Sequence, residues 1–242
     1  MIRNPETGAL ETFNFDHLCK HVPEINEFGY AIHNYQFDPP IDSSDMCPEL
    51  WAHLVKIIDY NYDSFDGFVI LHGTDTMAYT AAALSFMLEN LGKPVILTGS
   101  QLPIGVLRTD GKENLLTAIE LAAAQDKDGH PMVPEVCVFF GQYLYRGNRC
   151  TKSNSEHFNA FSSYNYPPLA KTGININYNP ANIRQVAASQ PFSPHYEADA
   201  GVVALTLFPG IKKELIENVM QMDGIKGIIL RTYGSGNAPT KD

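Results

Sequence analysis

Basic charge is scarce in this sequence: 17 Lys and Arg stand against 27 Asp and Glu in 242 residues, a formal charge of −10. Such a chain lacks the basic face that a phosphate backbone or an anionic lipid surface demands, which argues against nucleic acid or membrane as its partner. No apolar run approaches the roughly 20 residues needed to span a bilayer. The opening MIRNPETGAL has neither the apolar stretch nor the cleavage pattern of a secretory signal. Cysteine is sparse and scattered: Cys19, Cys47, Cys137 and Cys150 form no CxxC pair. That disfavours a disulfide scaffold and a Cys-rich zinc site, and it suits a reducing cytoplasm. There is no Walker A sequence, internal repeat or long charge run. The 18 Gly and 16 Pro are near average, so a collagen-like or disordered chain is also excluded. The expectation is a soluble, acidic, cytoplasmic globular protein with one large domain, or one domain and part of a second.

Short apolar runs alternate with helix-period stretches. GYAIHNYQF, Gly29 to Phe37, alternates like a half-buried strand. Compact apolar runs follow at Phe68–Leu71, Pro94–Thr98, Glu135–Phe140, Val202–Phe208 and Lys226–Tyr233, the composition of strands buried on both faces. Between them, Pro48–Tyr60, Thr76–Leu91, Lys112–Ala124 and Ile211–Met222 read as helices. Pro48 suits a first turn, and Gly92 suits a stop for the second helix. The stretch from Phe158 to about Glu197 reads as an irregular, hairpin-containing connection. This alternation predicts an open, mostly parallel, doubly wound α/β sheet over residues 1–190, with 191–242 as a connection and the beginning of a smaller α/β domain.

Ligands of such sheets bind beyond the carboxyl ends of the strands, so the residues after each run are the ones to search. In FVILHGTDTM, a strand runs through Gly73 into Thr74 and Asp75 at the start of a helix. Either residue could cap that helix, or Thr74 could be a catalytic hydroxyl at a helix N-terminus. A threonine needs a proton acceptor before it attacks a carbonyl, and none of the eight His falls in a triad pattern. A poorly hydrated Lys can take that role, and Lys152 in YRGNRCTKSN is the candidate, although sequence spacing alone does not put it beside Thr74. Asp42, Ser43 and Ser44 offer donors for a carboxylate and a carboxylate for an ammonium, which suits a zwitterionic amino acid. The same residues also suit an ordinary Asx-turn opening the helix at Pro48. His17, Cys19 and His21 lack a third ligand and read as a surface helix. GSGNAP lacks the context of a phosphate loop. Trp51, Met77 and Met87 read as packing residues.

The stretch DGFVILHGTDTMAYTAAALSFMLENLGKPVILTGSQ closely resembles the bacterial cytoplasmic type I L-asparaginases. The resemblance extends through DSSDM (Asp42–Met46), RTDGKENLL (Arg108–Leu116), the Tyr145–Lys152 segment and ILRTYGSGNAP (Ile229–Pro239). It implies a homodimeric or homotetrameric hydrolase that converts L-asparagine to aspartate and ammonia through a threonine acyl-enzyme, without metal or other cofactor. Thr74 would be the second catalytic threonine, Lys152 would remove its proton, and Asp75 would bind the substrate ammonium. Asp42, Ser43 and Ser44 would form the substrate-binding turn, the serines on the α-carboxylate. The family's effector site would fall near Thr151 and Arg231.

Two departures accompany the resemblance. The family's TGGT tetrapeptide, which bears its primary nucleophile, is absent from these 242 residues. Met1–Leu10 look like the active-site loop that follows it, with Ala9 where some members carry a tyrosine. The family also continues beyond GNAP. The expectation is therefore a fragment with impaired turnover, alongside two other readings: a non-catalytic asparagine- or aspartate-binding relative, and the related amidotransferase subunit that feeds ammonia to charged tRNA. The charge of −10 stands against the last.

Overall fold

A computed structural model describes residues 2–3, 10–11, 15–186 and 190–240. The expected active-site loop at Met1–Leu10, with Ala9, thus lies almost wholly outside the described residues. The chain divides into two compact units, Met1–Tyr196 and Glu197–Asp242.

The first unit is built on a six-stranded mixed sheet. Its parallel part consists of Phe68–Leu71, Val95–Thr98 and Val136–Phe140, with Val95–Thr98 in the middle. Tyr143–Arg146, Ala170–Thr172 and Ile176–Tyr178 extend it with antiparallel pairings. The continuous apolar runs are explained by helices on both faces. Val95 and Leu97, with Val136, Val138 and Phe140, pack against the helices Pro48–Asn61 and Met77–Met87. The intervening Ile96, Cys137 and Phe139 pack with Ala118, Leu121 and Ala122 of the helix Gly111–Ala123 on the other face. Burying a residue the size of Leu97 or Phe139 contributes about 1.5–3 kcal/mol each, so this double-sided core fixes the sheet. No helix among the described residues is long and apolar enough to cross a membrane.

Four expectations need correction. Gly29–Phe37 forms no strand: the alternation is present, but no strand among the described residues supplies it with a hydrogen-bond ladder, and Tyr30 and Tyr35 remain exposed. Phe68–Leu71 is a strand but is only partly buried, because it lies at an edge of the described sheet, with Leu71 half exposed. The helix after HGTDT ends at Met87 and not near Gly92. Leu88–Glu89 instead pair with Ser193–Pro194, and Asn90, at φ 56°, makes the left-handed turn. That pairing also keeps the segment before Tyr196 with the first unit. The fourth correction concerns the second unit. Its strands Val202–Thr206 and Gly227–Arg231 pair in parallel around the helix Lys213–Met220, yet both are largely exposed, because two strands and an eight-residue helix are too little structure to bury them.

Candidate active site

The carboxyl ends of the parallel strands lie side by side: Leu71 pairs with Thr98, and His72 N–H donates to the Thr98 carbonyl at 2.9 Å. The loops after Leu71 and Thr98 are packed tightly there. A Cβ on Gly99 would lie 2.3 Å from the His72 carbonyl oxygen, so only glycine permits this approach. Asn114, buried on the helix Gly111–Ala123, ties the next loops together. Its amide donates to the Gly99 carbonyl at 2.9 Å, and its oxygen accepts from Gly141 N–H at 3.1 Å. Asp110 accepts the backbone N–H groups of Gln101 and Leu102, and so fixes the loop after Thr98.

Thr74 and Asp75 sit in the turn before the helix Met77–Met87, and neither caps it. The N-cap position belongs to Thr76, whose side chain makes no capping hydrogen bond either. The capping reading of this block is therefore incorrect. The two residues face Lys152 instead: its Nζ donates to Thr74 Oγ1 at 2.8 Å and to Asp75 Oδ1 at 2.7 Å. Thr74 is partly buried, Asp75 is exposed, and the Lys152 side chain is 20% exposed, so the lysine is held out of bulk water while the carboxylate faces it.

Lys152 reaches this place through contacts remote in sequence. Gly147 presses the turn Gly147–Arg149 onto the helix Met77–Met87, where a Cβ would lie 2.9 Å from Ser85 Oγ and 3.0 Å from the Ala81 carbonyl oxygen. The short strand Thr151–Lys152 then pairs with Phe161–Ser162, Lys152 opposite Phe161. Phe161 is buried in the core and packs on Phe140 with ring centroids 5.0 Å apart. The lysine's backbone is thereby anchored to the sheet.

The expected substrate turn also arrives here. Asp42 accepts from both the backbone N–H and the hydroxyl of Ser44, at 2.9 and 2.8 Å, which closes a one-turn 3-10 helix over Ser43–Asp45. These bonds, the backbone one foremost, hold the Asp42 carboxyl below its ordinary range. The Asx-turn reading is thus realised in Asp42 and Ser44. Ser43 is the member brought to the site: it is buried, its Oγ would lie 2.4 Å from a Cβ on Gly73, and its carbonyl accepts from Thr76 Oγ1 at 2.5 Å.

Behind the turn runs a polar chain that sequence reasoning missed. Trp51 Nε1–H donates to Thr80 Oγ1 at 3.0 Å. Indole is a donor only, so the Thr80 hydroxyl proton is left to donate to His72 Nε2 at 2.9 Å. His72 then carries its proton on Nδ1 and donates to the Gly73 carbonyl at 2.7 Å. Desolvation lowers the imidazole pKa from its ordinary 6.5, against the opposing Gly73 hydrogen bond. The polar residues of HGTDTM hinted at a site, but no local pattern separates a capping threonine from one that bonds across loops.

An open cavity of about 680 Å³ is lined by Arg108, Asp110, Asn114, Gln142 and His157 among others, and it does not include Thr74 or Lys152. Asp126, Asp128 and His130 lie together on an exposed loop, where Asp126 accepts the backbone N–H groups of the other two and closes a turn. His17, Cys19 and His21 fall on the helix Phe15–His21, and the side chain of His17 lies outside the described residues.

A family model described as Asparaginase, N-terminal, matches residues 1–184. The chain is 48% identical over 229 residues to L-asparaginase 1 of Escherichia coli K12, covering 90% of this chain and 61% of that one. It is 45% identical over 203 residues to the 60 kDa lysophospholipase of Mus musculus, covering 84% of this chain and 35% of that one. The solved structure of L-asparaginase I from Vibrio cholerae superposes with a TM-score of 0.81 at 44% identity, over 95% of this chain and 68% of that one. The chain thus spans 61% of the bacterial curated relative and about a third of the mammalian one.

Proposed function

The chain belongs to the asparaginase family, and from that premise we propose that its protein is an L-asparagine amidohydrolase working through a threonine acyl-enzyme. The observation that carries this reading is the contact of Lys152 Nζ with both Thr74 Oγ1 and Asp75 Oδ1. The distance to Thr74 is within the range over which a base takes a hydroxyl proton.

In this reading the substrate's α-ammonium engages Asp75, and its α-carboxylate meets the Ser43–Ser44 turn. The ammonium draws Asp75 away from Lys152 and weakens the carboxylate's hold on the lysine proton. Lys152 gives up its proton to solvent and, as the neutral amine, accepts the Thr74 hydroxyl proton as Oγ1, acting in place of the TGGT threonine, bonds to the side-chain amide carbon. The tetrahedral adduct collapses with cleavage of the C–N bond, and the lysine proton leaves on ammonia. Water attacks the resulting ester, its proton taken by Lys152, and aspartate and free Thr74 are released. No metal or redox partner enters these steps. The same reading makes the protein cytoplasmic and self-associating, with a small-molecule substrate.

The test is ammonia release from L-asparagine by the protein at its native length, with hydroxylamine added in a parallel run. An ester intermediate diverts product to the hydroxamate. Ammonia without hydroxamate contradicts the acyl-enzyme, and saturable asparagine binding without ammonia identifies a binding protein instead.

A further inference from the structure

We propose that Thr76 is a positioning residue that sets substrate affinity by clamping the Asp42–Asp45 turn onto the Thr74 loop; this rests on the function proposed above. Thr76 occupies the N-cap position of the helix Met77–Met87, where a threonine ordinarily accepts a hydrogen bond from an amide of the first turn. It makes no such bond. Its hydroxyl points away from the helix and donates to the Ser43 carbonyl, 33 residues earlier, at 2.5 Å. That carbonyl already takes Met46 N–H at 3.3 Å, so the turn closes without Thr76. The helix also starts without the side chain, through Thr80 N–H on the Thr76 carbonyl at 3.0 Å and the fully buried Met77.

What the hydroxyl adds is the relative placement of two loops. The second contact between them needs a glycine: any Cβ at Gly73 would lie 2.4 Å from Ser43 Oγ and 2.7 Å from Ser43 Cβ. One hydrogen bond and one Cβ-free contact thus hold Ser43 against the residue preceding Thr74. Ser43 bears on the substrate carboxylate and Thr74 on the amide carbon. Loosening the clamp therefore weakens binding while Lys152, Thr74 and Asp75, held by a separate set of contacts, stay assembled.

The test is steady-state kinetics on L-asparagine with the native-length protein and its T76V, T76S and G73A variants. T76V keeps the shape and loses the donor, so KM should rise about 5–10-fold, the effect of one lost hydrogen bond, with kcat little changed. T76S should restore KM, because it keeps the hydroxyl. G73A should raise KM by displacing Ser43, and the double variant should fall short of the product of the two effects, since both act on one contact. An unchanged KM in T76V overturns the proposal, and so does a T76S variant as impaired as T76V, which would point to methyl packing. If T76V does not fold, G73A decides by the same KM criterion. If the wild-type protein releases no ammonia, the function reading fails. The clamp is then judged by calorimetric titration with L-aspartate, with weaker binding to T76V supporting it and equal binding overturning it.

Discussion

Lys152 Nζ and Thr74 Oγ1 are 2.8 Å apart although 78 residues separate them in the chain. Two independent devices produce that distance: the Gly147 turn against the helix Met77–Met87, and the pairing of Lys152 with a core-anchored Phe161. Asp75, on the same loop as Thr74, takes the second hydrogen bond of the ammonium.

Asp75→Ala should damage asparagine turnover far more than turnover of succinamic acid, which lacks the α-amino group. The exposed carboxylate is assigned to the substrate ammonium, and the smaller substrate has none to offer it. Comparing kcat/KM for the two substrates in wild type and variant checks this; equal losses would remove Asp75 from ammonium binding.

Gly147→Ala should destabilise the protein by about 1–3 kcal/mol, the ordinary effect of forcing a methyl into a packed contact. Ala81, Ser85 and Val136 surround the position, and two of the three nearest atoms are backbone oxygens that cannot swing aside. The midpoint of urea unfolding measures this, and a fall in kcat should accompany it, because the turn leads to Lys152.

Thr80→Val should leave two part-buried groups without their partner, the Trp51 indole N–H and His72 Nε2, and destabilise the fold by about 1–3 kcal/mol in all. The residue itself is fully buried, so water cannot replace the hydroxyl without rearrangement. Urea unfolding of T80V against T80S separates this loss from simple packing.

His72, whose pKa desolvation lowers, also predicts the pH dependence of stability. Its folded pKa lies below the 6.5 of the free imidazole, so below pH 6.5 the unfolded chain binds more protons than the folded one. The contribution is therefore complete above pH 6.5 and is lost as pH falls through the folded value. His72→Gln cannot take up that proton and should show a shallower decline of unfolding free energy between pH 7 and 5; an identical slope would contradict the assignment.

Much of this frame is legible in the sequence, because it is written in local pattern. The runs at 68–71, 95–98 and 136–140 carry the uninterrupted apolar character that two helical faces require, and the helices between them have the matching period. What escapes is non-local. Gly29–Phe37 alternates like a strand but finds no ladder among the described residues, and the helix expected to run to Leu91 stops at Met87 because a segment a hundred residues later pairs with its end. Within the site, Thr74 and Asp75 stand out as polar residues beyond the end of the strand Phe68–Leu71, and the Asp42–Ser44 turn as a polar cluster after an alternating run. The position of Lys152 follows only from contacts made by Gly147 and Phe161, and the choice of Thr76 to bond across loops instead of capping its own helix has no signature in HGTDTM.

The central claim is that Lys152 serves Thr74 in hydrolysing asparagine. The most direct measurement is ammonia release by Lys152→Met beside the wild type, at native length and with the unfolding midpoint recorded for both. Removing a general base of this kind should lower kcat by about 10²–10⁴-fold while the midpoint stays close to that of the wild type, since the side chain serves the site and not the core. Near-normal turnover in the variant would contradict the account.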